Sequence, residues 1–241
     1  MTSKSTYQTY KYIIGIDDSG RGNWLGSLVV AGFAAPAWME AQLKSIGVRD
    51  CKELTLHQIA YRIYNLINLP STFYSFRLRT PPDINQSFRN KINLNQLEAL
   101  MSDEVTNELV STIGYENILE VRINNADPTE QKFLSRLSDD TVLKRLATEG
   151  KVVLGHDNDK TDIFVAAASM IARFIHETEY AYLKLAIGDF GKGFDYDERT
   201  FSFVTELYNS GYTDEDMEYL LRKNYKSFKK VKQLKLNIKN L

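Results

Sequence analysis

Apolar residues are distributed along the chain in two alternating periods. Tyr12 to Ile16, Leu28 to Ala34, Thr72 to Leu78, Ile118 to Ile123 and Val152 to Leu154 are short apolar, β-branched or aromatic runs, the pattern of buried strands. Pro81-Pro82 ends the third of them. Elsewhere the spacing lengthens to that of helices. Ala37 to Ser45 and Leu56 to Leu69 read as helices, the second opening on Thr55 in N-cap position. From Asn93 to Ile113 the residues Leu94, Leu97, Leu100, Met101, Val105 and Leu109 recur at helical spacing before Gly114, predicting a long amphipathic helix. A helix follows Pro128, and Ile163 to Ile187 predicts another whose alanine-rich first half suits close packing on a sheet. Gly188 to Asp197 is a glycine-rich loop with two further helices after it. Strands and helices that alternate and then give way to helices alone predict an α/β sheet with a helical C-terminal part.

The chain has 241 residues, 43% of them hydrophobic and 25% charged, enough apolar material for a substantial core. No run approaches the ~18–20 uncharged apolar residues of a membrane span, and the polar start lacks the apolar segment of a secretory signal. A soluble cytoplasmic protein without membrane partners is expected. The lone Cys51 excludes an internal disulfide and a cysteine-based zinc site, in keeping with a reducing compartment. Charge balances overall, at 30 basic against 31 acidic residues, but the last twenty residues hold eight basic groups and no acid. Without those eight, residues 1–221 have 22 basic against 31 acidic groups, a net of −9. A polybasic tail suits phosphate backbones or a solvated terminal helix, while an acidic body with clustered aspartates suits hard divalent cations.

Acidic residues at the ends of apolar strands are the candidates for chemistry, because ligands of α/β folds bind at such rims. Asp17 and Asp18 end the first strand, Asn124 follows the fourth, and Asp157-Asn158-Asp159 follows the fifth. Neighbouring strand residues face opposite sides, so Asp17 and Asp18 address one site only if the backbone bends, which Gly20 and Gly22 permit. Carboxylates brought together repel and are tolerated mainly with cations between them; Asp and Asn at such places also serve as turn and cap residues. Asp157 to Thr161 further resembles the nucleophile motif of haloacid-dehalogenase phosphatases, with Gly155 and His156 interrupting the strand before it. His57, His156 and His176 lack metalloprotease spacing, and no nucleotide-triphosphatase phosphate loop is present.

Taken in order, several segments resemble type 2 ribonucleases H (ribonuclease HII), in particular the archaeal and eukaryotic branch. Gly15-Ile-Asp-Asp-Ser-Gly-Arg-Gly22 is similar to the family's opening motif, Asp50-Cys-Lys-Glu-Leu-Thr55 to its second, and Asn93-Leu-Asn-Gln-Leu-Glu98 to its third. Val121 to Asp127 with Phe133, Asp159 with Ala167 to Arg173, Asp189 to Asp197, and Arg222 to Ser227 continue the likeness. The resemblance implies a ribonuclease H-like mixed β-sheet flanked by helices, with residues 1–187 as catalytic domain and 188–241 as a helical substrate-binding part with the basic tail. It implies a monomeric endoribonuclease that hydrolyses RNA in RNA–DNA hybrids or single ribonucleotides embedded in duplex DNA. Asp17, Asp18, Asn124 and Asp159 would hold two Mg²⁺ or Mn²⁺ ions, which activate water and stabilise the leaving oxygen. Gly20, Arg21 and Gly22 would meet the ribose 2′-hydroxyl, and Lys52, Arg173, Phe194 and Arg222 would contact the substrate.

Three departures stand out against the family pattern. Asp18 replaces a glutamate and reaches about 1.5 Å less far. Asn124 replaces an aspartate, keeping a carbonyl oxygen without its charge, so weakened cation binding and a catalytically impaired duplex-binding protein are the alternative expectation. Asp127, three residues on, is the candidate to compensate. Phe194 occupies a tyrosine position and loses a hydroxyl, for which Tyr196 is the nearby substitute.

Overall fold

The computed structural model describes residues 10–125, 127–156 and 158–223. Asp157, the candidate phosphatase nucleophile, and the basic tail beyond Lys223 lie outside them. The five strands are β1 (Tyr12–Ser19), β2 (Leu28–Pro36), β3 (Phe73–Arg79), β4 (Ile118–Asn124) and β5 (Val152–Gly155). The helices are α1 (Glu40–Ser45), α2 (Leu56–Ile67), α3 (Pro81–Arg89), α4 (Leu94–Ile113), α5 (Glu130–Leu134), α6 (Val142–Thr148), α7 (Asn158–Thr161), α8 (Ile163–Ile187), α9 (Glu198–Asn209) and α10 (Asp214–Met217). The long helix predicted from Ile163 to Ile187 has those bounds, begun by Asp162, whose side chain accepts from the Phe164 and Val165 N–H groups. The sequence pattern missed α3, because Pro81-Pro82 both ends the strand and starts a helix: at the first helical positions a missing N–H costs nothing. Short α6 and α7 also escaped notice.

The strands form one sheet in the order β3-β2-β1-β4-β5. β1 and β2 pair antiparallel, as do β2 and β3, whereas β1–β4 and β4–β5 pair parallel. Both faces are covered, which is why β1 and β2 read as apolar throughout and not as alternating. Tyr12, Ile14 and Ile16 pack with Val30, Ala34 and the α4 residues Met101, Val105 and Leu109. The intervening Ile13 packs with Val29, Ala31 and Phe33 against Phe164, Ala167 and Ala168 of α8. At Gly15 a Cβ would overlap the Phe164 carbonyl, so the absence of a side chain lets α8 lie directly on β1. This alternation continues past the core and sends Asp17 to the α8 side and Asp18 to the α4 side.

A third apolar cluster joins Trp24 and Leu25, from the loop between β1 and β2, to Tyr180 of α8 and to Phe190, Val204, Tyr208, Met217 and Leu221. Leu25 and Leu221 also form an isolated β-bridge. The helical C-terminal part is therefore packed onto the segment that follows the first strand.

Candidate active site

The carboxyl ends of β1 and β4 and the start of α7 converge on an open cleft of about 690 Å³. Asp17, Asp18, Asn124 and Asp159 all line it. No bend between Asp17 and Asp18 is needed: both remain in the β1 ladder, opposite Ala31 and Val30, and the cleft lies across the end of the strand. Asp17 is buried, bonded to Ser169 of α8, and accepts from Asn124 Nδ2 at 2.9 Å. Burial, and then the neighbouring Asp18 charge, push its carboxyl up to about 7. Asp18 meets Glu98 of α4, and the two carboxyls share a hydrogen bond. Burial and the facing Glu98 drive the Asp18 carboxyl well above the usual range, opposed by the Arg21 and Arg222 guanidinium groups. Asp159 is 2% exposed; one oxygen accepts from Lys52 Nζ at 3.0 Å and the other is buried with no partner.

The Gly20–Gly22 loop forms one wall of the cleft. Gly20 has φ +83°, and a Cβ there would lie 2.5 Å from the His176 ring, so both the backbone angle and the space demand glycine. The Arg21 side chain turns towards α4, where it donates to Glu98 and, at 2.6 Å, to Asn95 Oδ1. Arg222, expected to touch substrate, is instead wholly buried behind the loop. Its guanidinium donates to the carbonyls of Gly26 (3.0 Å) and Arg21 (3.1 Å), which makes it a support for the loop. Its place next to the basic tail gave no sign of this.

Lys52 and Arg173 also line the cleft. Arg173 donates to the Cys51 and Leu54 carbonyls and so braces the turn that carries Lys52. Phe194 packs on Gly22 and stacks against Tyr196, with ring centroids 5.1 Å apart and planes 10° apart. Asp127 does not reach the acid cluster as a substitute ligand, because Arg136 grips both its oxygens at 2.6 Å. Sequence reasoning missed Glu98 and His176. Glu98 was legible as an acid on the apolar stripe of α4. His176 lies along α8 from Ser169 and Arg173, faces the cleft, has a buried Nε2 without a partner, and is pushed down to about 4 by burial and by Arg222.

Oxygen donors, a raised Asp17 and an unpartnered Asp159 oxygen suit a hard divalent cation. Among the described residues, however, no three His, Cys, Asp or Glu side chains close on a common point. Each acid has its own neighbour: Asp17 has Asn124, Asp18 has Glu98, and Asp159 has Lys52. Asn124 is also directional, since its Oδ1 accepts from the Asn158 N–H (3.3 Å) while its Nδ2 faces Asp17. Turning the amide to offer oxygen to a cation would set N–H against N–H at Asn158.

Comparison with known proteins supplies the family. The family described as Ribonuclease HII matches residues 14–233. A curated "Ribonuclease HII" of Methanocaldococcus jannaschii is 31% identical over 233 residues, covering 94% of this chain and 99% of that one. Among solved structures, the ribonuclease H2 of Pyrococcus horikoshii OT3 superposes with a TM-score of 0.74 at 25% identity, covering 92% of this chain and 97% of the other. Bst-RNase HIII, solved in complex with Mn²⁺, superposes at 0.79 with 21% identity over 94% of this chain and 71% of its own, a likeness of fold. With the match running almost from end to end and the acids gathered in one cleft, this chain belongs to the ribonuclease HII family, whose members are type 2 ribonuclease H hydrolases.

Proposed function

We propose that this chain is a divalent-metal-dependent endoribonuclease that hydrolyses RNA in RNA–DNA hybrids and at single ribonucleotides in duplex DNA, with an activity lowered by Asn124. The observation that carries the reading is one cleft lined by Asp17, Asp18, Asn124 and Asp159 together with the Gly20–Gly22 loop, Lys52 and Arg173. Asp17, Asp18 and Asp159 are the residues to hold a cation of the kind the family uses, Mg²⁺ or Mn²⁺. Such an ion supplies charge neutralisation of the phosphodiester and a more acidic bound water.

The chain's own groups do the rest. Lys52, two-thirds exposed at its side chain, is available to a phosphate oxygen. Lys184, paired with Asp189, and Lys192 also line the cleft and add positive charge suited to a phosphate backbone. Phe194, seated on Gly22, closes the ribose side with an apolar ring, and the exposed Tyr196 stacked on it supplies the nearest phenolic hydroxyl. Asn124 bridges Asp17 to α7 without charge, so it relieves the repulsion that a cation would otherwise relieve and weakens the demand for one.

The test uses a labelled duplex with one ribonucleotide beside an all-DNA control, with Mg²⁺ or Mn²⁺. The expected order of cleavage is Asn124→Asp above this chain, with Asp17→Asn and Asp159→Asn near zero. Losing a ligand charge is expected to cost more than the ~10–100-fold of an indirect change. If the Asn124→Asp form shows no ribonucleotide-dependent cleavage, the enzyme reading fails. Hybrid binding without cutting in both forms would identify a duplex-binding protein instead.

A further inference from the structure

Behind the Gly20–Gly22 wall runs a row of polar side chains that the chemistry above does not use. Arg21 is the one side chain in a tripeptide otherwise made of glycine, so its attachment decides where that soft stretch of backbone rests. One amino group of its guanidinium donates to Asn95 Oδ1 at 2.6 Å. The Asn95 Nδ2 donates in turn to Asp127 Oδ1 at 3.2 Å. Asp127, with a side chain 2% exposed, is held from behind by the Arg136 fork, Nε to Oδ2 and Nη2 to Oδ1, each at 2.6 Å. The same fork holds the Asp127 carboxyl below the usual carboxylate range. Polarity fixes the orientation of every member. Reversing the Asn95 amide would face N–H towards Arg21 and oxygen towards Asp127, two repulsive contacts in place of two bonds.

The row also connects two parts of the cleft that no covalent path holds together. Arg21 belongs to the wall, whereas Asp127 lies three residues beyond Asn124, at the end of β4 that carries the floor. The intervening Asn95 sits in the first turn of α4, three residues before Glu98, which touches both Arg21 and Asp18. The relay therefore acts beside the Arg21–Glu98 pair and the Arg222 support in fixing the gap between the loop and the acids. A buried ion pair such as Asp127–Arg136 is weak grounds for inferring stability, and geometric specification is the better-attested use of such a pair.

We propose that Asn95, Asp127 and Arg136 are positioning residues that hold the Arg21 loop at the spacing required to accept a ribose 2′-hydroxyl, and so determine discrimination between ribonucleotide and deoxyribonucleotide. This rests on the reading of the cleft given above. The loop N–H groups and the Phe194 ring contact the sugar; the relay acts only through Arg21. Its loss leaves the cationic rim in place, so general duplex affinity persists while preference for the 2′-hydroxyl falls.

The test is equilibrium binding in EDTA, where cleavage cannot intervene. The full chain is titrated with two duplexes that differ only in one central ribonucleotide, and the affinity ratio is read for the parent, Asn95→Ala and Asp127→Asn. The ratio is expected to drop about tenfold in both variants, the scale of losing one hydrogen bond to a charged group, with all-DNA affinity unchanged within about twofold. Asn95 is half-buried in a first helical turn, so its truncation leaves the core intact even if Asp127→Asn impairs folding. The exchange Asn95→Asp with Asp127→Asn keeps a donor facing an acceptor on both sides of position 95 but sets one amide N–H against Arg136 Nη2, so it is expected to recover only part of the ratio. A parent that discriminates while both single variants discriminate equally well overturns the proposal alone. A parent with no preference overturns the reading of the cleft together with it. A fall in both affinities by the same factor marks a merely structural role and also overturns it.

Discussion

Replacing Asp17 by asparagine is expected to make the metal-free protein more stable above neutral pH. The Asp17 carboxyl has its ordinary value near 3.8 in the unfolded chain and is pushed up to about 7 in the fold by burial and by Asp18. Between those values the native state holds a proton that the unfolded state has lost, so this group's contribution to stability falls as pH rises from about 4 to 7. A gap of about 3 units at ~1.4 kcal/mol each amounts to about 4 kcal/mol once Asp17 is forced to ionise. Asparagine escapes that cost at every pH but loses part of the bonding with Ser169 and Asn124, roughly 1–2 kcal/mol. Asp17→Asn should therefore fall slightly below the parent at pH 4 and exceed it by about 2–3 kcal/mol at pH 8. At ~2–4 °C per kcal/mol for a chain of this size, the gain in Tm is on the order of 5–10 °C. Thermal melts in EDTA at intervals between pH 4 and 8 read the difference directly. Taking the difference between variant and parent cancels the opposite slope of His176, whose lowered value makes stability rise with pH between about 4 and 6.5. A difference in Tm that stays flat across this range, or a variant less stable at pH 8, would refute the reasoning.

Gly15→Ala should push α8 off β1, because the added methyl meets the Phe164 carbonyl and neither backbone can yield. A loss of roughly 1–3 kcal/mol or more, seen as a lower urea midpoint, is expected, and an unchanged midpoint would contradict the packing. Arg222→Ala should strip partners from the Gly26 and Arg21 carbonyls at about 1–3 kcal/mol for an unsatisfied group, and speed hydrogen exchange through residues 20–26; unaltered protection there would show that the loop rests on something else.

Much of this architecture was legible because period and punctuation agree in the long elements. Ile163 to Ile187 has a capping aspartate, a continuous apolar face and a closing glycine, and all three signals mark the same bounds. The strands were plain too: β1 and β2 because burial on both faces leaves them almost wholly apolar, β3 to β5 because their runs are rich in β-branched and aromatic residues. Signals with two meanings misled: Pro81 is both a strand terminator and a helix starter. The four rim positions were recoverable because strand ends announce themselves locally. The contacts among side chains were not. That Arg21 would turn to Glu98 and Asn95, or that Arg222 would be sealed beneath a loop two hundred residues earlier, depends on tertiary approach with no periodicity to betray it. Arg222, read from its segment's family likeness as a substrate contact, is wholly buried.

The bridge between Leu25 and Leu221 has a consequence for biosynthesis. The glycine-arginine loop leaves the ribosome early, yet the residues that clamp it, Leu221 and Arg222, are translated almost two hundred codons later. A nascent polypeptide can thus assemble its sheet well before the cleft has a finished wall. Competence waits on residues 221 and 222, and products that stop short of that clamp should fold in large part while remaining inert.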